Sequence, residues 1–209
     1  MELILTAQVD FRSCAPYYLS VTVKELTTMN VDVKFTYKDL LSAPDDGKRY
    51  EIFEGELIMS PSPSSQHQRV VFNLCNIFGD YLREIPIGEV YPAPFEVYFD
   101  EETVVQPDVL FVSKERLSIV EERRVNGPPD AVVEILSDSS KPRDREFKLR
   151  LYAKEGVKEY WIVDPEAESI EVYQLKKEVF ALAGKFSEKD EVTSPYFVGL
   201  QFSCNQVFK

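Results

Sequence analysis

The sequence has little of what several protein classes require. Its 209 residues include three cysteines, eight glycines, one tryptophan and one histidine. The cysteines, Cys14, Cys75 and Cys204, lie far apart without a CxxC spacing, which argues against a disulfide framework and against a thiolate zinc site. Because this usage fits a reducing compartment, we expect a cytoplasmic protein.

Long apolar runs and the common nucleotide and hydrolase motifs are also missing. No run approaches the ~20 apolar residues that span a bilayer, and no basic region followed by an apolar core indicates an export signal. A Gly-x-Ser-x-Gly elbow and a phosphate loop ending in Gly-Lys-Ser/Thr are absent. With a single histidine, serine or cysteine hydrolase chemistry has little support.

An excess of basic residues is lacking as well. The formal net charge of -12 argues against a protein that coats nucleic acid nonspecifically, because phosphate binding relies on lysine and arginine. One segment departs from this balance, since residues 141–150 hold two acids and five basic residues: Lys141, Arg143, Arg145, Lys148 and Arg150. The segment is either a solvated helix face or a local site for anions.

The length and the 44% hydrophobic content suit one domain of ordinary core size. Residues 1–28 show no clear amphipathic period, and a more regular pattern opens at Met29. We therefore predict a domain over residues 29–209 and interpret residues 1–28 as an extension from an upstream start choice, although an added strand at residues 17–23 is the alternative.

Hydrophobic periods, caps and turn residues predict strands interleaved with helices after residue 34. Ser65 and Gln68 form a capping box for the longest helix, which runs to Arg83. Helices are predicted at 36–41, 65–83, within 113–124, and from Pro142 to before Gly156. Strands are predicted at 50–53, 56–60, 89–99, 103–112, 131–136, 159–163, 169–175, 179–183 and 197–202.

Two predicted strands each carry a carboxylate inside an apolar run. Asp108 follows Pro107 in the first, and Glu134 lies among valine, isoleucine and leucine in the second. A carboxylate in such surroundings costs several kcal/mol unless it is paired, hydrogen-bonded or bound to a cation. Because proline removes a ladder donor, the first strand lies at an edge or bulge where a side chain is re-aimed. The two acids together predict a shared cation.

Two further residues belong near these acids. His67 lies in the first turn of the long helix on its apolar side, either as a structural histidine or at the mouth of an acidic site, where it contacts a phosphate or a metal-bound water. If the helix after Leu136 folds back along its strand, Lys148 lies ~9 Å below the helix start and Glu134 ~7 Å back along the strand. The lysine then reaches the acids; otherwise it is a surface residue.

A succession of short motifs resembles the Uma-two family of putative restriction endonucleases, which is related to the PD-(D/E)XK nucleases. The similarity covers about Lys34 to the C-terminus. It is carried by Arg49-Tyr50-Glu51, Gly55-Glu56-Leu57, Met59-Ser60-Pro61-Ser62-Pro63, His67-Gln68, Val105-Gln106-Pro107-Asp108, Val133-Glu134-Ile135-Leu136-Ser137, Asp144 with Lys148, Tyr152, and Glu159-Tyr160-Trp161-Ile162-Val163-Asp164-Pro165.

The resemblance implies an α/β (α+β) protein with a restriction-endonuclease-like fold, a mixed central β-sheet flanked by helices. It implies Asp108, Glu134 and Lys148 as catalytic residues, with His67 and Gln68 as accessory residues. The lysine expected two residues after the acid is replaced by Leu136, and Lys148 on the following helix is the matching position.

We predict metal-assisted hydrolysis of DNA phosphodiester bonds. The predicted metal is Mg²⁺, with Mn²⁺ as an alternative, held by Asp108, Glu134 and the carbonyl of Ile135. Arg143 and Arg145 are predicted to meet backbone phosphates of DNA, and a homodimer is expected by analogy. Two alternatives stay open: an inactive binding or assembly module with this fold, and metal-dependent hydrolysis of another phosphate ester.

Overall fold

The computed structural model describes residues 33–137 and 143–209, with only the backbone at residues 143 and 144. The predicted extension at residues 1–28, the start at Met29 and the helix start at Pro142 lie outside the described residues.

One long helix, several short helical elements and many strands make up the described chain. The helical elements are α1 (Tyr37–Leu40), α2 (Ser65–Glu84), a 3-10 helix (Lys114–Ile119), a π-helical turn (Arg143–Lys148), α3 (Leu149–Lys154) and a second 3-10 helix (Cys204–Gln206). The strands are β1 (Arg49–Phe53), β2 (Glu56–Ser60), β3 (Gly88–Pro92), β4 (Glu96–Asp100), β5 (Thr103–Val105), β6 (Val109–Ser113), β7 (Arg124–Asn126), β8 (Ala131–Ile135), β9 (Glu159–Asp164), β10 (Ser169–Lys176), β11 (Val179–Ser187), β12 (Glu191–Thr193) and β13 (Gln201–Ser203).

The strands form two larger sheets and one small pair. The six-stranded sheet has the order β11-β10-β9-β8-β6-β3, in which β8 and β9 are parallel and the other pairs antiparallel. The five-stranded sheet has the order β2-β1-β5-β4-β7, and β12 pairs with β13. Strand β8 lies inside its sheet, as its continuous apolar run predicts.

Helices cover both faces of the six-stranded sheet, and the alternation along β8 shows how. Ala131, Val133 and Ile135 belong to the cluster that packs against α2. Val132 and Leu136 belong to the cluster that packs against α3. The predicted mixed sheet flanked by helices is confirmed.

Helix α2 begins one residue away from the predicted cap. The side chain of Ser64 accepts a hydrogen bond from the backbone N–H of His67 at 3.2 Å, so Ser64 is the N-cap and Ser65 is already helical. The predicted box of Ser65 and Gln68 is therefore wrong by one residue, because Ser64 has the extended backbone that a cap needs. The apolar side of the helix, on which His67 is predicted to lie, is buried and contains His67, Val70, Leu74, Phe78 and Tyr81.

The predicted strands 89–99 and 103–112 form the second hairpin of the chain, after β1 and β2, and this hairpin is divided between the two sheets. Its outer halves, β3 and β6, pair in the six-stranded sheet, while β4 and β5 pair in the five-stranded sheet. The predicted strands 89–99 and 103–112 are therefore interrupted at 93–95 and 106–108, where Pro94 and Pro107 cannot donate ladder hydrogen bonds. Asp108 lies at the crossing of the two sheets, where the chain passes from β5 of the five-stranded sheet to β6 of the six-stranded sheet. It is therefore just before β6 and not inside a strand.

Two other connections differ from the sequence-based prediction. The helix predicted within residues 113–124 is a 3-10 helix, and it leads into an additional strand, β7, which pairs in parallel with β4. Near the C-terminus the predicted strand 197–202 is shortened to β13, and β12 is added as its partner.

In the described part of the chain Cys75 and Cys204 are free thiols. Across the same residues, none of the helices combines the length and the apolar character of a membrane span.

Candidate active site at the crossing of the two sheets

Asp108 is buried, and both of its carboxylate oxygens accept hydrogen bonds. Oδ1 accepts from Nη1 of Arg49 at 2.8 Å. Oδ2 lies 3.1 Å from Nε2 of His67 and accepts from the backbone N–H of Ile135 at 2.9 Å. Three separate elements, β1, α2 and β8, therefore meet on one carboxylate.

These contacts keep Asp108 ionised in spite of its burial. Burial alone raises the pKa of the carboxyl group, but the hydrogen bond and charge of His67, together with those of Arg49, bring the pKa down to about 2. Burial lowers the pKa of the Arg49 guanidinium, but the charge and hydrogen bond of Asp108, together with the charges of Glu134 and Glu51, more than compensate, so that this pKa is raised.

Glu134 is paired with Lys148, as predicted for a helix that folds back along its strand. Nζ of Lys148 donates to Oε1 of Glu134 at 2.9 Å, and the hydroxyl of Tyr152 donates to the same oxygen at 2.7 Å. Glu134 and Lys148 are each only 3% exposed. Lys148 closes the π-helical turn, one turn before Tyr152 on α3, so both side chains face the sheet.

A third buried carboxylate, Glu51 on β1, shares the same lysine. Nζ of Lys148 lies 3.0 Å from Oε1 of Glu51, which also accepts from the backbone N–H of Gln106 at 2.9 Å. Lys148 therefore joins two acids that come from different sheets. Burial, then the charge of Glu134, raises the pKa of the Tyr152 hydroxyl well above its ordinary value, so Tyr152 remains a donor.

Strand β1 delivers both Arg49 and Glu51 because alternate residues of a strand point to one face. Ile52, which points to the opposite face, is fully buried in a small cluster with Leu40 and Val104. The side chains of Arg49 and Glu51 therefore point toward the site, while the packing of Ile52 on the opposite face holds the strand in place.

Ile135 contributes its backbone to the site. The register Val109 to Val133 between β6 and β8, continued by two residues, sets Pro107 opposite Ile135. Proline has no N–H, so it cannot donate to the Ile135 carbonyl, and the Ile135 N–H bonds the Asp108 carboxylate. The predicted carbonyl ligand therefore lies beside Asp108 with no ladder donor from Pro107.

His67 has one nitrogen engaged and one unengaged. Its Nε2 contacts Asp108, whereas Nδ1 is buried without a hydrogen-bond partner among the described residues. The residue is 8% exposed. An unpartnered buried polar atom is uncommon, because buried polar groups generally form hydrogen bonds.

Two other predicted residues, Gln68 and Arg145, lie outside this cluster. Gln68 is exposed on α2. Nη1 of Arg145 donates to Oε2 of Glu171 at 2.8 Å, on a carboxylate that also pairs with Lys185. The side chain of Arg143 is outside the described set. Leu136 is buried against α3, on the same side of β8 as Glu134.

The donor chemistry suits a divalent metal, since buried carboxylates and a backbone carbonyl are hard oxygen ligands. The arrangement is nevertheless closed by protein cations, because Arg49 pairs with Asp108 while Lys148 pairs with Glu134. Over residues 33–137 and 143–209, no three acids, histidines or cysteines are placed to hold a metal ion. A metal would therefore share these carboxylates with Arg49 and Lys148 or displace them.

Three residues of the cluster carry no role in the sequence-based prediction: Arg49, Glu51 and Tyr152. Each left a signal in the sequence. Arg49 and Glu51 are two residues apart at a predicted strand, and Tyr152 follows Lys148 by four residues, which is helical spacing.

Comparison with known proteins agrees with this architecture. A crystal structure described as that of a "putative nuclease belonging to DUF820", from Anabaena variabilis, matches with a TM-score of 0.71 at 20% identity, over 83% of this chain and 97% of that one. At this identity the match shows a shared fold. A protein described as uncharacterised, sll1609 of Synechocystis sp. (strain PCC 6803), is 27% identical over 134 residues, which cover 61% of this chain and 72% of that protein.

The family model of Uma2, described as "Putative restriction endonuclease", matches residues 36–205 and therefore most of the chain. This range contains every residue of the buried cluster. The chain belongs to the Uma2 family of putative restriction endonucleases.

Proposed function

We propose that the protein is a divalent-metal-dependent endonuclease that hydrolyses phosphodiester bonds of DNA. The observation that carries the proposal is the buried pair of Lys148 and Glu134, 2.9 Å apart, next to Ile135, whose backbone N–H binds Asp108. Lys148 thus reaches the acid although position 136 holds leucine. Restriction-endonuclease-like proteins generally use divalent metals, and Mg²⁺ is the proposed ion, with Mn²⁺ as a substitute.

Asp108, Glu134 and the Ile135 carbonyl would hold the metal, which supplies Lewis acidity toward a phosphate oxygen and lowers the pKa of a bound water. Two properties of these side chains suit them to bind a metal. The low pKa of Asp108 keeps it ionised, and burial of Glu134 keeps bulk water from competing with its partners.

Lys148 is proposed to balance negative charge on the phosphate. Its ammonium is held between Glu51 and Glu134, and its stem is buried, so the charge stays at one place. Such a fixed charge needs little reorganisation as the transition state forms. Tyr152 positions Glu134 by donating to Oε1.

The test is cleavage of duplex DNA, single-stranded DNA and RNA in Mg²⁺, in Mn²⁺ and in chelator. We expect metal-dependent cleavage of duplex DNA that falls by about 100-fold or more in Glu134→Ala and in Lys148→Ala. Circular dichroism and thermal unfolding verify that each variant is folded. Lys154→Ala is the matched control, because Lys154 is an exposed lysine on the same helix. Undiminished cleavage in both site variants would overturn the proposal.

A noncatalytic binding or assembly module is the second candidate, and the closed ion pairs of the site favour it. Arg49 and Lys148 already neutralise Asp108 and Glu134, as they would in a site with no further ligand. Calorimetric titration with Mn²⁺ discriminates the two candidates. Binding that disappears in Glu134→Gln supports the nuclease, whereas no binding to the wild-type protein supports the module.

The homodimer and the cytoplasmic location remain predictions. Sedimentation equilibrium of the purified chain tests the first, and fractionation of cells that produce the protein tests the second. The assignment of Arg143 and Arg145 to phosphate also remains a prediction; for Arg145 it requires that the guanidinium leave Glu171.

A further inference from the structure

Arg49 differs from the other cation of the site in how many of its donors are used. Lys148 is enclosed, and its ammonium is shared by two carboxylates. Arg49 has a side chain that is 22% exposed and makes one hydrogen bond within the described residues, from Nη1 to Oδ1 of Asp108. A guanidinium has five N–H donors, so most of the fork of Arg49 is unused.

The cause of this single contact lies on the other side of Asp108. Arginine and a carboxylate commonly pair through two parallel hydrogen bonds. Here Oδ2 already receives His67 and the Ile135 N–H, which leaves only Oδ1 to the arginine. Asp108 therefore anchors Arg49 by one nitrogen and leaves Nε and Nη2 for another acceptor.

A second observation indicates that the partner set beside Asp108 is incomplete. Nδ1 of His67 is buried and has no partner among the described residues. Polar groups with unused hydrogen-bonding capacity therefore lie on both flanks of the same carboxylate, one of them at the exposed rim.

We propose that Arg49 binds a backbone phosphate of the nucleic acid at this site, through the nitrogens that Asp108 leaves unused. The acceptor is a phosphodiester, because its two nonbridging oxygens match the fork of a guanidinium. The inference rests on the proposed function and adds a phosphate-binding residue to it. Asp108 holds Arg49 in place, and Arg49 brings the phosphate next to the buried acids.

The experiment measures duplex DNA affinity by fluorescence anisotropy over a range of salt concentrations, with chelator present, in a Glu134→Gln background that suppresses cleavage. Arg49→Gln is expected to weaken binding by about 10-fold and to reduce the slope of log affinity against log salt by about 1, the signature of one lost phosphate contact. Arg49→Lys keeps the charge but not the fork, so it retains the slope and loses part of the affinity.

Arg83→Gln is the matched control. Arg83 is an exposed arginine in the last turn of α2, 16 residues and hence ~24 Å from His67 in the first turn. Its removal leaves affinity within about twofold and the slope unchanged, as expected for a surface ion pair. Thermal unfolding of each variant excludes loss of the fold as the cause.

The outcomes separate the inference from the proposed function. If the wild-type protein cleaves DNA with metal but Arg49→Gln binds DNA with unchanged affinity and slope, the inference is overturned and the nuclease stands. If Arg49→Gln does not fold, Arg49→Lys decides: affinity equal to that of the parent overturns the inference. If the wild-type protein neither binds nor cleaves nucleic acid, the proposed function fails and the inference fails with it.

Discussion

Replacing Lys148 with methionine tests the central electrostatic feature of the site without any assumption about function. Oε1 of Glu134 and Oε1 of Glu51 lie 2.9 and 3.0 Å from Nζ of Lys148, so these two oxygens are within about 6 Å of each other. At an effective dielectric constant of about 20, two unit charges at this distance repel by about 3 kcal/mol. Removing one partner of a buried ion pair generally costs 3–5 kcal/mol, a compatible range.

We therefore expect Lys148→Met to lower the free energy of unfolding by about 3–5 kcal/mol. The assay is urea unfolding followed by circular dichroism and by the fluorescence of the single tryptophan, Trp161, which is fully buried. The slope against urea is compared between variants, because a changed slope would indicate a different unfolding transition.

A double variant identifies the cause. Glu51→Gln in the Lys148→Met background removes one of the two facing charges, so it is expected to restore about 2 kcal/mol or more of the lost stability. Lys154→Met, an exposed change on the same helix, is expected to stay within about 0.5 kcal/mol of wild type. A loss below about 1 kcal/mol in Lys148→Met, or a double variant less stable than the single one, would refute the reasoning.

Three further changes have definite expected outcomes. The pKa of Asp108 is lowered from 3.8 to about 2, so its ionised form contributes about 2 kcal/mol of stability above pH ~4, and this stability is lost as the pH falls through about 2. Urea unfolding at pH 4 and pH 2 measures the loss, and Asp108→Asn should lack this part of the acid dependence. Gly88→Ala should destabilise the protein by more than about 2 kcal/mol, since its Cβ would lie 2.2 Å from a carbonyl oxygen of β6. Gly79→Ala in helix α2 meets nothing within 4 Å and should stabilise the protein by about 0.5–1 kcal/mol. Melting temperatures equal to that of the wild type in both variants would contradict both expectations. Tyr152→Phe removes a donor to the Glu134 carboxylate and should cost about 1.5–3 kcal/mol in urea unfolding, and a cost near zero would show that this hydrogen bond has no net worth.

The two site acids were predictable because the signal is local. A single carboxylate inside an apolar run needs a partner wherever the strand lies, so Asp108 and Glu134 could be identified before any tertiary contact was known. Lys148 required only lengths, since a helix that folds back along its strand brings a fixed residue level with Glu134. The structure agrees, with 2.9 Å between the two side chains.

The contribution of β1 could not be predicted in the same way. Whether Arg49 and Glu51 reach the site depends on the second hairpin, which leaves one sheet and joins the other at residues 93–95 and 106–108. The alternation of apolar residues continues through this crossing, so the sequence pattern predicts two long strands. The prolines mark the interruption but not the direction in which the chain turns.

Because the second hairpin passes from one sheet to the other, Lys148 forms ion pairs with both sheets. Glu51 belongs to the five-stranded sheet and Glu134 to the six-stranded sheet, and one ammonium joins them. Any ligand that takes the place of this ammonium must also take over the joining of the sheets. Ligand binding at the site and the contact between the two sheets are therefore coupled. A ligand bound there should raise the midpoint of unfolding of the whole domain.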